Sequence, residues 1–481
     1  MIDTRSVLAA ALALIMTGCA VGPDYVRPPF NAPTAFKESG PWKTAEPKQA
    51  DFNGKWWELY GDPALNTLIE EANSANLDIR VAEAQYRQAR SLEDVARSAY
   101  FPVIGVNLSA SRARTNTNPN GVVIGNLREA VLDASWEPDL WGRIRRAVEA
   151  SAANRQAGAD DLAAVRLAIQ AELAQDYFQI RIVDAEKDLF NRSIEAYRVT
   201  LKLTQSQFAA GIVTRVDVAL ARTQFESASA EAVDLDVKRN QLEHAIAILL
   251  GKTPGEFALP AAPLIAKLPV IPVGLPSELL ERRPDIAAAE RRTAAANANI
   301  GIAQSAYFPT LSIGSSGGFA HWFNQPTRVW SLGAGLAETI FDGGLRSGQT
   351  AEAIAAYDAS VAQYRKTVLN GFQEVEDDLA TLRVLDQEAQ VQTRAVSAAK
   401  DAEQLTMKQY KAGTAIYLAV AAAQVAELNN ERTDVELLGR QFDASIGLIK
   451  AIGGGWQSSQ SDQTAEHLAD SRTASLSSAQ Q

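Results

Sequence analysis

Apolar and polar residues follow one another along this chain in two rhythms, and each rhythm occurs twice. In the roughly 65 residues before Gly211, apolar positions recur at steps of three and four, at Leu162, Val165, Ile169, Leu173, Tyr177 and Ile180. The same stepping precedes Gly413, at Tyr357, Val361, Tyr364, Val368, Phe372, Val375, Leu379 and Leu382. A narrow stripe of this period predicts long helices packed as coiled coils, and the abundant neighbouring Ala lets such helices approach closely. Unbroken, each would extend about 100 Å. Upstream of each long helix the period falls to two. Ile104, Val106, Leu108 and Ala110 alternate with Gly105, Asn107 and Ser109, and Leu132, Ala134 and Trp136 alternate with Val131, Asp133, Ser135 and Glu137. In the second copy Leu311 and Ile313 face away from Ser312 and Gly314, and Trp330, Leu332, Ala334 and Leu336 share one face of the return. These stretches predict two β-hairpins of about ten residues per strand, each with one apolar face. The first is expected to turn through a polar segment from Arg112 to Asn126, the second through Gly317 to Arg328 with His321, Trp322 and Phe323.

The two copies can be aligned residue by residue. Ser98-Ala99-Tyr100-Phe101-Pro102 returns intact as Ser305-Ala306-Tyr307-Phe308-Pro309, and Phe208-Ala-Ala-Gly211 has its counterpart in Tyr410-Lys-Ala-Gly413. The offset falls from 207 to 202 between these points, so the first copy holds five extra residues there. The first repeat is read as 63–251, with a helix from Pro63 to Ser98, a hairpin at 101–140, a long helix, a tip at 208–217 and a returning helix. The second is read as 277–454, with a hairpin at 308–341 and a tip at 410–419. Gly211 and Gly413 suit the left-handed residue that ends a helix. A linker at 252–276 with six Pro joins the copies, and a tail at 455–481, rich in Ser, Gln and Ala, is expected to be disordered. Ahead of the first repeat an extended arm at 19–62 ends in Trp56-Trp57, read as packing anchors or else a ligand site, and Asp62-Pro63, which can start a helix. The acidic run Glu374, Glu376, Asp377 and Asp378 reads as a solvated face or the wall of an aqueous lumen.

Composition narrows the function. A net charge of -11 over 481 residues argues against nucleic acid as a partner. One Cys excludes an internal disulfide, and three scattered His give no metal site of ordinary spacing, so neither metal nor cofactor is expected. No nucleophile elbow or P-loop occurs, which points away from an enzyme. Residues 1–18 read as a signal peptide, with Arg5 before a short apolar run. Met16-Thr17-Gly18-Cys19 resembles a lipoprotein cleavage box, making Cys19 the lipidated first residue; the other reading is an ordinary buried Cys. Ala20 after it fits sorting to the outer membrane. The hairpins suit a transmembrane β-barrel, but four strands cannot close one and open edges are forbidden in lipid. Membrane-spanning hairpins would therefore require several chains per barrel; the alternative is soluble hairpins capping a helical bundle.

These strings together resemble the outer-membrane factor family, the TolC-like channels of bacterial efflux and secretion, in its lipoprotein branch. They are Cys19-Ala-Val-Gly-Pro-Asp-Tyr25, Trp56-Trp57 with Asp62-Pro63, Arg283-Pro284-Asp285-Ile286 with Glu290, both Tyr-Phe-Pro strings, Phe341-Asp342-Gly343-Gly344 and the two Gly tips. The resemblance implies a mainly α, internally duplicated chain with a small β part. Three such chains would share a twelve-strand transmembrane β-barrel and an α-barrel tunnel in the periplasm. The implied function is a passive, non-enzymatic exit duct for drugs or other small compounds. These would be delivered by an inner-membrane pump of the resistance-nodulation-division (RND) type through a periplasmic adaptor (a membrane fusion protein). A type I protein-secretion duct and a non-channel periplasmic scaffold lipoprotein stand as alternatives. By position, Gly211, Thr214, Gly413 and Thr414 would receive the adaptor. In the best-known members the counterparts of Tyr410 and Asp217 bond at a closed periplasmic gate. The family's second-tip arginine and aspartates are replaced by Ala415, Ala419 and Ala422. The gate is then expected to rest on packing of Tyr417 and Leu418, with Arg215 and Arg222 as local charges.

Overall fold

A computed structural model describes residues 20–33, 35–38, 54–117, 121–271, 279–320 and 327–457. Helices α1 (Pro63–Ala75) and α2 (Leu77–Ser98) lead to strands β1 (Val103–Thr117) and β2 (Gly121–Trp136), then α3 (Arg143–Ala209) and α4 (Arg215–Leu249). The second copy runs through α5 (Leu279–Arg282), α6 (Pro284–Ser305), β3 (Thr310–Ala320), β4 (Thr327–Ala337), α7 (Leu345–Lys411) and α8 (Tyr417–Ala451). The long helices α3 and α7 have 67 residues each, and α4 and α8 have 35 each. Every end of the second pair lies 202 residues after its counterpart, so the duplication is kept to the residue through the helical part.

Three expectations are corrected. The single helix from Pro63 to Ser98 is two helices, because Asn76 interrupts it. The Asn76 side chain accepts from the amides of Asp78 (2.9 Å) and Ile79 (3.0 Å) and donates to the Leu249 carbonyl at 2.9 Å. An Asn that caps one helix start while holding the end of another has its backbone outside the helical ladder. The polar segment from Arg112 to Asn126 is not all turn: β1 and β2 stay paired to Thr117 and Gly121, giving strands of 15 and 16 residues against 11 and 11 in β3 and β4. Polar side chains do not stop a ladder made of backbone hydrogen bonds. Likewise Gly317 to Ala320 belong to β3, while His321, Trp322 and Phe323 lie outside the described residues.

The chain divides into two compact units. One contains residues 20–30, 85–159 and 288–366. Its four strands form one antiparallel sheet in the order β1-β2-β3-β4. Within it the N-terminal arm is pinned at several points. The Tyr25 hydroxyl donates to Glu290 at 2.6 Å, Arg146 donates to Asp24 at 2.8 Å, and Asn297 donates to the Pro23 carbonyl at 2.9 Å. Arg146 is itself buried, so its pairing with Asp24 and Glu149 satisfies a charge that would otherwise be costly. Small residues, Ala150, Ala153, Ala294, Ala295 and Ala298, form the core beside Tyr25.

The other unit contains residues 31–84, 160–287 and 367–457. Trp56, Trp57 and Tyr60 lie in its core with Phe178 and Phe442, whose rings stack at 4.4 Å. Asp62 caps α1 through the amides of Ala64 and Leu65 and accepts the Tyr177 hydroxyl at 2.7 Å. The Pro-rich linker lies on this core as far as it is described: Leu259 and Ile271 are buried, and Arg239 and Arg181 donate to the Leu259 and Pro260 carbonyls. The acidic run is not simply a solvated face. Glu374 pairs with buried Arg283 at 2.7 Å, and the Glu376 carboxylate accepts the amides of Lys37 and Glu38.

Candidate functional site

Two helix–turn–helix tips, each built within the second unit, are the first candidate. At the end of α3, Gly211 takes φ +74°, its amide bonds the Phe208 carbonyl, and the Ile212 amide reaches back to Gln207. At the end of α7, Gly413 takes φ +76°, and the Thr414 amide reaches Gln409. Both are the Schellman arrangement, in which a left-handed residue lets two amides satisfy terminal carbonyls. The next helix start differs. Thr214 caps α4: its hydroxyl accepts the Asp217 amide, and the Asp217 carboxylate accepts the Thr214 amide at 2.8 Å, a closed capping box. The matching positions are Ile416 and Ala419, and Ile416 makes no side-chain cap.

The second tip is held by burial instead. Tyr410 and Tyr417 are buried with Ala221 and Val420, their rings meeting edge to face at 5.8 Å. Their counterparts, Phe208 and Arg215, are exposed. The Tyr410 hydroxyl shares a hydrogen bond with buried Thr204 at 3.1 Å, and the Tyr417 hydroxyl donates to Gln224 at 3.1 Å. Gln224 continues to Gln424 at 3.3 Å, and Gln424 reaches Thr200 at 3.4 Å. Tyr197 donates to the Gln424 backbone carbonyl at 3.1 Å. Burial raises both tip phenols, for Tyr410 opposed in part by the Thr204 bond, so they stay protonated donors at neutral pH. Tyr410 and Asp217 make no hydrogen bond with each other within the chain. The phenol is engaged by Thr204 and the carboxylate by Thr214. Arg215, Gly211, Gly413 and Thr414 are exposed, as are the apolar Phe208, Ile212, Val216, Ile416 and Leu418. Cys19 lies outside the described residues.

Sequence reading missed the polar chain of Thr200, Thr204, Gln224 and Gln424, because Gln and Thr on a helix read as solvated. It also missed Asp176 on α3 and its correspondence to Asp378 of the acidic run on α7. Asp176 and Asp378 are 202 residues apart. Burial, then Glu172 and Asp443, push Asp176 up to about 6. Burial, then Glu374 and Asp377, push Asp378 up to about 7, with Lys450 opposing. Gly447 leaves the room that Asp378 occupies: a Cβ there would stand 2.8 Å from the carboxylate.

The sheet of the first unit is the second candidate. Its register puts Ile104, Val106 and Leu108 opposite Ala134, Leu132 and Ala130. The same face continues through Ile313 and Phe319 on β3 to Ala334, Leu332 and Trp330 on β4. The other face carries Asn107, Ser109, Asp133, Ser135, Ser312, Ser316, Ser331 and several Gly. Val106, Leu108, Trp330, Leu332 and Leu336 are largely exposed. Among the described residues, β1 and β4 end the sheet with unpaired edges.

A duplicated helical chain with paired Gly tips, an open-edged sheet and one apolar sheet face has the build of a channel subunit. The chain belongs to the outer membrane efflux protein family, whose model matches residues 68–252 and again 275–454, one match per copy. It is 31% identical over 468 residues to the solvent efflux pump outer membrane protein SrpC of Pseudomonas putida, covering 93% of this chain and 97% of the relative. It is 30% identical over 482 residues to the antibiotic efflux pump outer membrane protein ArpC of Pseudomonas putida, covering 96% and 98%. Among solved structures it is similar to the outer-membrane channel OprN, with TM-score 0.86 and 31% identity over 91% of this chain and all of that one. The protein is thus an outer membrane efflux protein with the TolC-like channel fold.

Proposed function

We propose that three copies of this chain form the outer-membrane exit duct of a tripartite efflux system. The four-stranded sheet with one apolar face and two open edges carries this reading. An exposed ladder edge cannot persist in lipid, where each unpaired amide and carbonyl costs several kcal/mol. Joining β4 of one copy to β1 of the next, three times, closes a twelve-strand barrel with Val106, Leu108, Leu332 and Trp330 toward lipid. The small and polar face lines the lumen. The helices then form the periplasmic α-barrel, and the tips form its mouth. Cys19, acylated after removal of residues 1–18, adds a membrane anchor, at about 0.8 kcal/mol per buried CH₂.

At the mouth, Tyr410 and Tyr417 hold the second tip closed, with Arg215 and Asp217 on the first. The exposed turns at Gly211–Thr214 and Gly413–Thr414 receive a periplasmic adaptor, a membrane fusion protein that links the duct to an inner-membrane pump of the RND type. Cargo passes without chemical change, so the duct is not an enzyme and needs no cofactor. Relatives named for antibiotic and solvent efflux support small organic compounds as the cargo. Fractionation and mass measurement test the assembly: a heat-resistant trimer in the outer membrane is expected, and a monomeric periplasmic protein would refute it. In the same strain, deleting the gene should raise sensitivity to organic solvents and hydrophobic antibiotics, and restoring it should reverse this.

A further inference from the structure

The four strands segregate charge completely between their faces. The face bearing Ile104, Val106, Leu108, Trp330 and Leu332 carries Arg112 and Arg114 on β1, Arg128 on β2 and Arg328 on β4, and no carboxylate on the described strands. The opposite face carries Glu129 and Asp133 and no Arg or Lys. The arginines are gathered at one end. Arg128 lies opposite Ala110, Arg112 opposite Asn126 and Arg114 opposite Ile124, while Arg328 lies opposite Phe319 beside Trp330. All four are exposed. Arg112, Arg128 and Arg328 each follow the apolar stretch of their strand, counted from the helix-side residues Ile104, Trp136 and Leu336. From those residues each Arg is about 27 Å away along its strand, or roughly 20 Å of height at ordinary barrel tilt, which reaches the far margin of an apolar belt about 25 Å tall.

We propose that these arginines form a binding site for the phosphate groups of the outer-leaflet glycolipid of the outer membrane. The inference rests on the barrel reading above, since it requires this face to meet lipid and the helices to lie on the periplasmic side. An arginine facing lipid is tolerated only near the headgroups, where its long stem lies along the apolar surface and its guanidinium reaches the polar layer. Guanidinium is planar, permanently charged and matched to phosphate oxygens in two-pronged pairs. A polyanionic glycolipid complements a margin on which four arginines and, on the described strands, no carboxylate lie; a neutral or zwitterionic leaflet offers it no such match. Trp330 and Phe319 complete the belt margin, with rings suited to the interface.

The test uses the full-length protein, purified as its oligomer in detergent. Its binding of diphosphorylated lipid A, and of the same lipid without phosphates, is measured by native mass spectrometry. The wild type should prefer the phosphorylated lipid by about tenfold or more, and the triple variant Arg112→Gln, Arg128→Gln, Arg328→Gln should lose that preference. Glu129→Gln, on the other face of the same hairpin, should behave as the wild type. Equal binding by wild type and triple variant, no preference for phosphate, or displacement of the lipid by equimolar inorganic phosphate would overturn the proposal. Oligomer mass and bilayer conductance of the same samples separate the two readings. A conducting trimer indifferent to the arginines overturns the lipid site alone, and a non-conducting monomer overturns both.

Discussion

The two tips descend from one turn, and they are now stabilised by different means. The first closes on itself: Thr214 and Asp217 satisfy each other's backbone and side chain without help from a distant residue, which leaves Phe208 and Arg215 exposed. The second has Ile416 and Ala419 at the two capping positions, and instead of a cap it has Tyr410 and Tyr417 packed on α4. A cap is local and worth about 1 kcal/mol, whereas a buried aromatic is worth several and ties the turn to its neighbours. The first turn therefore keeps its own cap when the two tips part. The second turn then loses the contacts with Thr204 on α3 and with Ala221 and Gln224 on α4 that hold it.

The sharpest way to break this asymmetry is Tyr417→Ala. It removes a buried ring and leaves Gln224 short of a partner, so a loss of about 3–5 kcal/mol is expected. Hydrogen exchange should accelerate across 410–424 and leave 211–217 unchanged. Next comes Gln424→Ala, which cuts the polar chain between Gln224 and Thr200 and should cost about 1–3 kcal/mol, while Gln424→Glu, which replaces the donor to Thr200 and Glu403 with a buried carboxylate, should cost at least as much. If both variants exchange like the wild type, the chain is not what holds the second tip. Asp217→Ala should cost about 1 kcal/mol, confined to the first turn of α4. Installing the missing box with Ile416→Thr and Ala419→Asp should return a similar amount to α8, read as slower exchange at its first turn.

The smallest effect concerns a feature both copies kept. A carboxylate whose native pKa is raised holds a proton that the unfolded chain has released. Its contribution therefore declines as pH rises from the ordinary carboxylate range through about 7 for Asp378 and about 6 for Asp176. Asp378→Asn should raise the unfolding temperature by roughly one or two degrees at pH 8 and leave it unchanged at pH 4. A difference independent of pH would remove titration as the cause.

How much of this was legible in the chain follows from what each feature depends on. The 202-residue offset and the stripe through Tyr364, Val368, Val375 and Leu379 could be read directly, because helix period and burial depend on the chain's own pattern; all four residues are buried. The alternation that separates Leu132 from Asp133 likewise gave the two faces of the sheet. The break at Asn76 could not be read, since its side chain is engaged by Leu249, far along the chain. Hairpin length was misjudged because Arg112 and Asn126 look like turn residues yet pair across a ladder that uses only backbone. At the tips, position in the family pointed to Tyr410 and Asp217 as partners. Packing gives each a different one, and the residue that links the helices, Gln424, has nothing in its local pattern to mark it.

Single-channel recording in planar lipid bilayers tests the central claim, an outer-membrane duct closed at its tips, most directly. The purified wild type, a trimer on the proposed reading, should insert and conduct weakly, and Tyr417→Ala should conduct severalfold more, with Asp217→Ala close to the wild type. A trimer that never conducts would contradict the duct, and a wild type already as conductive as Tyr417→Ala would contradict closure by the second tip.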